Sequence, residues 1–186
     1  MITGSKIKLR EKKLSDALED YAWHTDRELA ELDAAPLLTT TFPDYLPDYA
    51  CELQYPSPFK RLFSIETGGG RYIGNCAYYN IDEAKAEAEF GIMIGDRACW
   101  GKGYGPDAIT TLLNHIFSKT KLNRIHLKTL TDNKRAYRCF QKCGFTPCGQ
   151  LAKESYDFIL MEIDRQRWQE EQPKGGKHSA DKVAGQ

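Results

Sequence analysis

The chain has 186 residues, 41% hydrophobic and 11% aromatic, which supports one domain with a real core and argues against a wholly disordered protein. Its 26 Lys and Arg balance 26 Asp and Glu, which excludes a chain that grips nucleic acid through bulk positive charge. The balance is uneven: Leu14 to Phe59 holds ten acids and one base, Arg27, whereas Arg97 to Lys153 holds eleven bases and two acids, Asp107 and Asp132.

Ser5 to Glu11 alternates Ile7 and Leu9 with polar residues and reads as a first strand. Ser15 can N-cap a helix with Asp16 and Glu19 in its first turn, running in pieces to near Leu32. Pro36 to Phe59 carries Pro36, Pro43, Pro47, Pro56 and Pro58 among three tyrosines, which predicts a long binding loop with at most one short helix. Lys60 to Glu66 and Arg71 to Tyr79 flank three glycines and predict a hairpin. Glu87 to Ile94 alternates, with Glu87, Glu89, Gly91 and Met93 on one face and Phe90, Ile92 and Ile94 on the other. Gly105 to Lys119 is the clearest helix, with Ile109, Leu112, Leu113, Ile116 and Phe117 on one side and Pro106 at its start. A strand over Arg124 to Leu130, a helix over Asn133 to Cys143 stopped by Gly144, and a strand over Ser155 to Ile163 follow. Strands followed by strand–helix–strand–helix–strand make an α/β layout with a mixed sheet. The boundary is expected near residue 166, with 167–186 a polar, disordered tail.

No run approaches the ~18 apolar residues that span a bilayer, and the N-terminal MITGSKIKLREKK has no apolar stretch of a secretory signal. A cytoplasmic protein with no membrane or nucleic-acid partner is expected. The six cysteines are scattered without a CxxC pair. Cys139 and Cys143 could share a helix face, but no second Cys or His pair lies at zinc spacing, so reduced thiols and no metal are expected.

The informative segment runs from Ile92 through Gly95-Asp96-Arg97-Ala98-Cys99-Trp100-Gly101-Lys102-Gly103-Tyr104-Gly105 to Pro106. A strand enters a loop of alternating glycines that opens onto a helix. Glycines let backbone N–H groups converge, and the helix start adds free N–H groups and partial positive charge, so the segment suits a polyphosphate. It lacks the GxxxxGK[ST] of a Walker loop. It also lacks the GxGxxG and following acid of a dinucleotide fold, since no acid stands between Asp107 and Asp132.

The run AEFGIMIGDRACWGKGYGPDAITTLLNHIF resembles the acetyl-CoA-binding motif of the GNAT superfamily of N-acetyltransferases. Asn133 to Phe145 is similar to the superfamily's Asn…Lys-x-Gly-Phe helix. The two blocks stand in the right order, and the ribosomal-protein and spermidine acetyltransferase branch looks nearest. The resemblance covers roughly Ser5 to Trp168. It implies a mixed, mostly antiparallel twisted sheet of about seven strands flanked by helices, over a domain spanning 5–166. It implies acetyl-CoA as cosubstrate. The amides near Gly101, Lys102, Gly103, Tyr104 and Gly105 would then hold the pyrophosphate, and the main chain of Ile92, Met93 and Ile94 would face the pantetheine arm. Asn133 would reach the cofactor or the acceptor amine, and Arg97 and Lys142 would serve the phosphates. Trp100 stands where the family usually has Arg or Gln, and Phe140 where many members have the Tyr that protonates the leaving thiolate. Tyr137, on the same helix, is the expected substitute.

Acyl transfer needs a neutral amine. A lysine-like amine is neutral only about once in 2,500 at pH 7, a cost of roughly 4.6 kcal/mol, against about 1 kcal/mol for an N-terminal α-amine. A base therefore matters more for polyamines than for protein N-termini. Glu89 is the expected base, with Glu87 the alternative on the same face. His24, His115, His126 and His178 have no visible nucleophile partner. The expectation is an acetyl-CoA-dependent N-acetyltransferase acting on a primary amine, with a protein N-terminus narrowly favoured over a polyamine. A non-catalytic acyl-CoA-binding module is the competing class, and the resemblance leaves room for a homodimer.

Overall fold

The computed structural model describes residues 1–171. In chain order it runs β1 (Ile2–Thr3), β2 (Ile7–Glu11), α1 (Ala17–His24), α2 (Arg27–Asp33), α3 (Phe42–Gln54), β3 (Lys60–Thr67), β4 (Tyr72–Asp82) and β5 (Glu87–Ile94). It continues with α4 (Tyr104–Lys119), β6 (Arg124–Leu130), α5 (Lys134–Lys142), β7 (Thr146–Lys153), β8 (Tyr156–Asp164) and α6 (Arg165–Glu171). The strands form one sheet in the order β1-β2-β3-β4-β5-β6-β8-β7. Every pair is antiparallel except β5 with β6.

The apolar stripe of α4 supplies the centre of the core. Ile109, Leu112, Leu113, Ile116 and Phe117 pack with Ile7, Leu9, Ile65, Ile73, Ile125 and Leu127 of the sheet and with Phe145 after α5, all at most 2% exposed. Asp107 in the first turn of α4 receives N–H donors from Ser5 (3.1 Å), Lys6 (2.7 Å) and Ile7 (3.0 Å), which ties the start of β2 to this helix.

The opposite side is held by charge. Arg10 of β2 grips Asp16 with two N–H groups at 2.7 and 2.8 Å, and Ser64 Oγ of β3 donates to the same carboxylate at 2.9 Å. Arg10 also pairs with Glu66. One turn on, the fully buried Asp20 pairs with Lys12 and accepts from Tyr72 Oη and Asn75 Nδ2, both at 2.6 Å. Buried carboxylates persist only when paired and hydrogen-bonded, so these contacts fix α1 on the sheet. Trp23 of α1 lies flat against Gly95, where a Cβ would come within 2.1 Å of the indole.

Three sequence expectations change here. Residues 36–59 are not a long loop, because α3 occupies Phe42–Gln54. Pro43 sits in its first turn, where a missing N–H costs nothing. Pro47 does remove one helical bond, and the ring contacts of Tyr21 with Phe42 (5.3 Å) and Tyr45 (5.5 Å) and of Tyr45 with Tyr49 (5.6 Å) offset it. The strand β7 was not foreseen, since it lies at the sheet's edge and is exposed from Pro147 to Lys153, so no buried alternation marks it. Finally, α6 carries the folded chain past residue 166. Trp168 packs on Phe117 at 5.3 Å, and its Nε1 donates to Asn114 Oδ1 at 2.8 Å. Residues 172–186 of the expected tail lie outside the described residues.

Burial pushes the Asp16 carboxyl up, but Arg10, the Lys13 N–H and Ser64 together hold it below the usual carboxylate range. Its stabilising contribution is therefore full above the unfolded value of about 3.9 and is lost as pH falls through the lower folded value. Asp16→Ala is expected to cost about 3–5 kcal/mol in urea unfolding at pH 7, because it leaves Arg10 buried without this partner. Asp16→Asn is expected to flatten the acid limb of stability against pH.

Candidate active site

The ladder between β5 and β6 is short. It pairs Glu87 with Arg124, Ala88 with Ile125 and Glu89 with His126, and ends there. On its other edge β5 stays paired with β4 as far as Ile94, and β6 stays paired with β8 as far as Leu130. The two strands therefore part beyond Glu89, and the end of the β5 edge, Ile92 to Ile94, borders a cleft instead of a neighbouring strand.

The glycine loop closes one end of this cleft of about 530 Å³. Gly101 (φ 72°) and Gly103 (φ 84°) adopt left-handed backbone, and Gly103 is the N-cap of α4. Non-glycine residues rarely hold these angles, and a Cβ on Gly103 would also sit 3.1 Å from Lys6 Nζ. Lys6 itself donates to the Lys102 carbonyl at 2.9 Å, which brings a cation from just before β2 to the back of the loop. Trp100 Nε1 donates to the Ile94 carbonyl at 2.6 Å, and the Arg135 guanidinium lies 3.5 Å from the Trp100 ring centroid. In the place of the family's usual Arg or Gln, Trp100 braces the strand end and carries a cation on its face.

The structure brings most of the expected residues to this one cleft. Ile92, Met93, Ile94, Gly101, Gly103, Tyr104, Gly105, Asn133 and Lys142 all line it. Asn133 caps α5 by accepting from the Ala136 N–H (3.1 Å), and its amide donates to the Leu32 carbonyl at 3.4 Å. One residue thus joins α5 to the end of α2.

Others are placed elsewhere. Arg97 is spent on Asp26 (2.7 Å) and Glu28 (2.7 Å) and does not line the cleft. Tyr137, the expected substitute for the missing acid, does not line it, and Gln141 Nε2 donates to its hydroxyl at 3.2 Å. Phe140 lines the cleft as a buried aromatic set edge-on to Phe90 and Phe145. Glu89 stands where the strands part. Its carboxylate accepts from Asn80 Nδ2 at 3.0 Å and pairs with Lys128 at 3.3 Å. Glu87 is committed to Arg124 at 2.7 Å.

Sequence reasoning missed five contributors. Arg135 and Arg138 join Lys142 as the cations that line the cleft, and burial lowers the Arg135 pKa. Leu29, Leu32 and Asp33 of α2 form the far wall. Asp33 is exposed at the end of α2, though many protein atoms surround its carboxyl. Burial raises its carboxyl pKa, while His24 and Lys128 act in the opposite sense. Burial likewise pushes the Tyr79 phenol up, and the charges of Glu89 and Asp33 add to it. Asp33, Glu89, Tyr79 and Lys128 therefore form one electrostatic cluster at the open end of the site. The residue types alone did not reveal this, because α2 and β6 are far apart in sequence.

Residues 6–146 match the family described as the acetyltransferase (GNAT) domain. The chain belongs to the GNAT acetyltransferase family. It is accordingly an acyltransferase with acetyl-CoA as donor, as its two motifs imply. It is 25% identical over 147 residues to an uncharacterized N-acetyltransferase p20 of Bacillus licheniformis, covering 78% of this chain and 82% of that one. It is 29% identical over 97 residues to the spermidine N(1)-acetyltransferase of Vibrio cholerae, covering 52% of this chain and 56% of the relative. In three dimensions it is similar to the Vibrio cholerae spermidine N-acetyltransferase solved with CoA and spermine, at a TM-score of 0.80, 23% identity and coverage of 89% and 99%. An aminoglycoside acetyltransferase solved with coenzyme A follows at a TM-score of 0.73 and 20% identity, with coverage of 89% and 98%. At such identities what is shared is the GNAT fold.

The placement of the cations separates two variants. Arg135→Ala is expected to weaken CoA binding by about 1.5–3 kcal/mol, the range of a hydrogen bond to a charged group, whereas Arg97→Ala leaves it unchanged. Gly103→Val is expected to abolish binding. Calorimetric titration with CoA checks all three.

Proposed function

We propose that this acetyltransferase acts on a polyamine, with the CoA phosphates at the α4 N-terminus and the acceptor amine at the open end lined by α2. The observation that carries the reading is Asp33. It is a carboxylate on the wall of the cleft, with a raised pKa, and it shares with Glu89 an influence on Tyr79. Two such groups suit an acceptor with more than one ammonium. The named relatives that acetylate spermidine or spermine favour a polyamine over the protein N-terminus expected from the sequence.

In this reading the main chain of Ile92 to Ile94 orients the donor, and Arg135, Arg138 and Lys142 meet its phosphates. Asp33 holds the acceptor's ammonium group, and Glu89 takes the proton of the attacking amine through water. Nitrogen attacks the thioester carbonyl carbon, the C–S bond breaks, and CoA departs as a thiolate. Phe140 has no proton to give, so the departing sulfur is protonated by solvent. General acid catalysis is worth about 10²–10⁴ in rate, which makes this a slower enzyme rather than an inert one.

The test is thiol release from acetyl-CoA with spermidine, spermine and basic N-terminal peptides as acceptors. The expected outcome is a polyamine kcat/KM more than about tenfold above that for any peptide, a difference of roughly 1.4 kcal/mol. A peptide that outperforms both polyamines restores the protein N-terminus as acceptor. Tight CoA binding with no thiol release on any acceptor returns the non-catalytic module. Glu89→Gln is expected to lower kcat with CoA affinity unchanged. Asp33→Asn is expected to raise the polyamine KM. Because the folded Asp33 titrates above its unfolded value, its ionised form opposes folding above that folded pKa. The Asn variant should therefore show an equal or higher Tm at pH 7, which separates a lost contact from a damaged fold.

A further inference from the structure

The mechanism above uses no thiol, yet two line the cleft, Cys99 and Cys139. Cys76 and Cys99 are buried, and burial pushes both thiols up. Cys51 and Cys148 are exposed, away from the cleft on α3 and β7. Cys139 is half-buried and lines the cleft, opposite the start of α4. A Cβ on Gly105 would stand 3.6 Å from its Sγ.

Its surroundings favour the thiolate. At the C-cap of α5 the Cys143 thiol donates to the Pro106 carbonyl at 3.7 Å, and its approach to the Cys139 sulfur is the largest influence on that thiol. Burial opposes ionisation, and the charges of Lys142 and Arg135 favour it. The balance lowers the Cys139 pKa. Thiolates, not thiols, attack disulfides, and low-pKa accessible cysteines in positive surroundings are the reactive ones.

We propose that Cys139 is a thiol-modification site in the wall of the cofactor cleft, S-thiolated by anionic low-molecular-weight disulfides when the cleft is empty and shielded when it holds CoA. The Cys139 thiolate attacks one sulfur of the disulfide, the S–S bond breaks, and a mixed disulfide forms on Cys139. The other half leaves as a thiolate and takes its proton from water. No oxidant besides the disulfide is required. Arg135, Arg138 and Lys142 line the same cleft and draw a negatively charged disulfide toward the sulfur. The attached group then occupies the space between α4 and α5, so acetyl transfer stops until a reducing thiol removes it.

The shielding half of the inference rests on the placement of CoA in this cleft. The experiment uses the full chain with Cys51→Ser and Cys148→Ser, which removes the two exposed thiols. The protein is incubated with glutathione disulfide, with and without CoA, and the adduct is mapped by peptide mass. One glutathione on Cys139 is expected, with activity lost in step and restored by dithiothreitol. CoA at about one hundred times its Kd should slow the addition about a hundredfold, the factor by which it depletes the empty cleft. Cationic cystamine at equal concentration should react more slowly than glutathione disulfide. Cys143→Ala should slow the addition at pH 7 by removing the neighbour that lowers the Cys139 pKa most. An adduct that maps elsewhere, or one that forms on Cys139 at the same rate under saturating CoA, overturns the proposal. Gly103→Val keeps the two readings apart. Unchanged CoA affinity in that variant defeats the cleft placement, whereas lost affinity together with an unshielded Cys139 in the parent defeats only the thiol proposal.

Discussion

The parallel ladder between β5 and β6 holds only from Glu87 to Glu89, and the site depends on where it stops. A strand edge that leaves its partner must find other uses for its main-chain groups. Here the end of that edge, Ile92 to Ile94, borders a cleft that the glycine loop closes at one end and α2 walls at the other. Trp100 holds the far end of that edge through the Ile94 carbonyl. In the proposed reading, donor, acceptor and base positions all follow from that one gap.

The walls of the gap are kept in place by two different forces. On the α4 and α5 side the force is apolar burial, continuous from Ile7 to Phe145. On the α1 and α2 side it is buried charge: Arg10 with Asp16, and Lys12 with Asp20. These carboxylates belong to the acidic stretch that looked available for an acceptor, and they are consumed by the fold. Asp26 and Glu28 are consumed too, by Arg97 from the basic stretch. Much of the charge asymmetry is thus cancelled inside the molecule. Asp33, on the cleft wall, is left to meet a ligand, and Arg135, Arg138 and Lys142 are left on the cofactor side.

Local signals carried far because several elements are strongly periodic. The stripe of α4, the alternation of β5 and the strand over Arg124 to Leu130 sit where the pattern put them. Signals failed where packing overrode them. α3 forms despite Pro47 because Phe42 and Tyr45 find Tyr21 and Tyr49 packs on Tyr45, and β7 escaped notice because its residues face water. Among site residues the backbone positions were legible, since a glycine at positive φ or a helix start is a property of a short segment. Side-chain roles were less so: the Arg97 guanidinium and the Tyr137 hydroxyl both have partners outside the cleft.

By itself the sequence determined the chemistry class. Two short motifs, each defined by residues within one turn or one loop, specify a phosphate-binding helix start and its companion helix, because the required geometry is local. Tertiary structure alone decided which charges remain available. Whether Arg97 or Arg135 faces the cofactor, and whether Asp20 or Asp33 faces the acceptor, turns on contacts between segments tens of residues apart. An ion pair across the fold removes a charge from use however its sequence reads, and only the packed chain shows which pairs form.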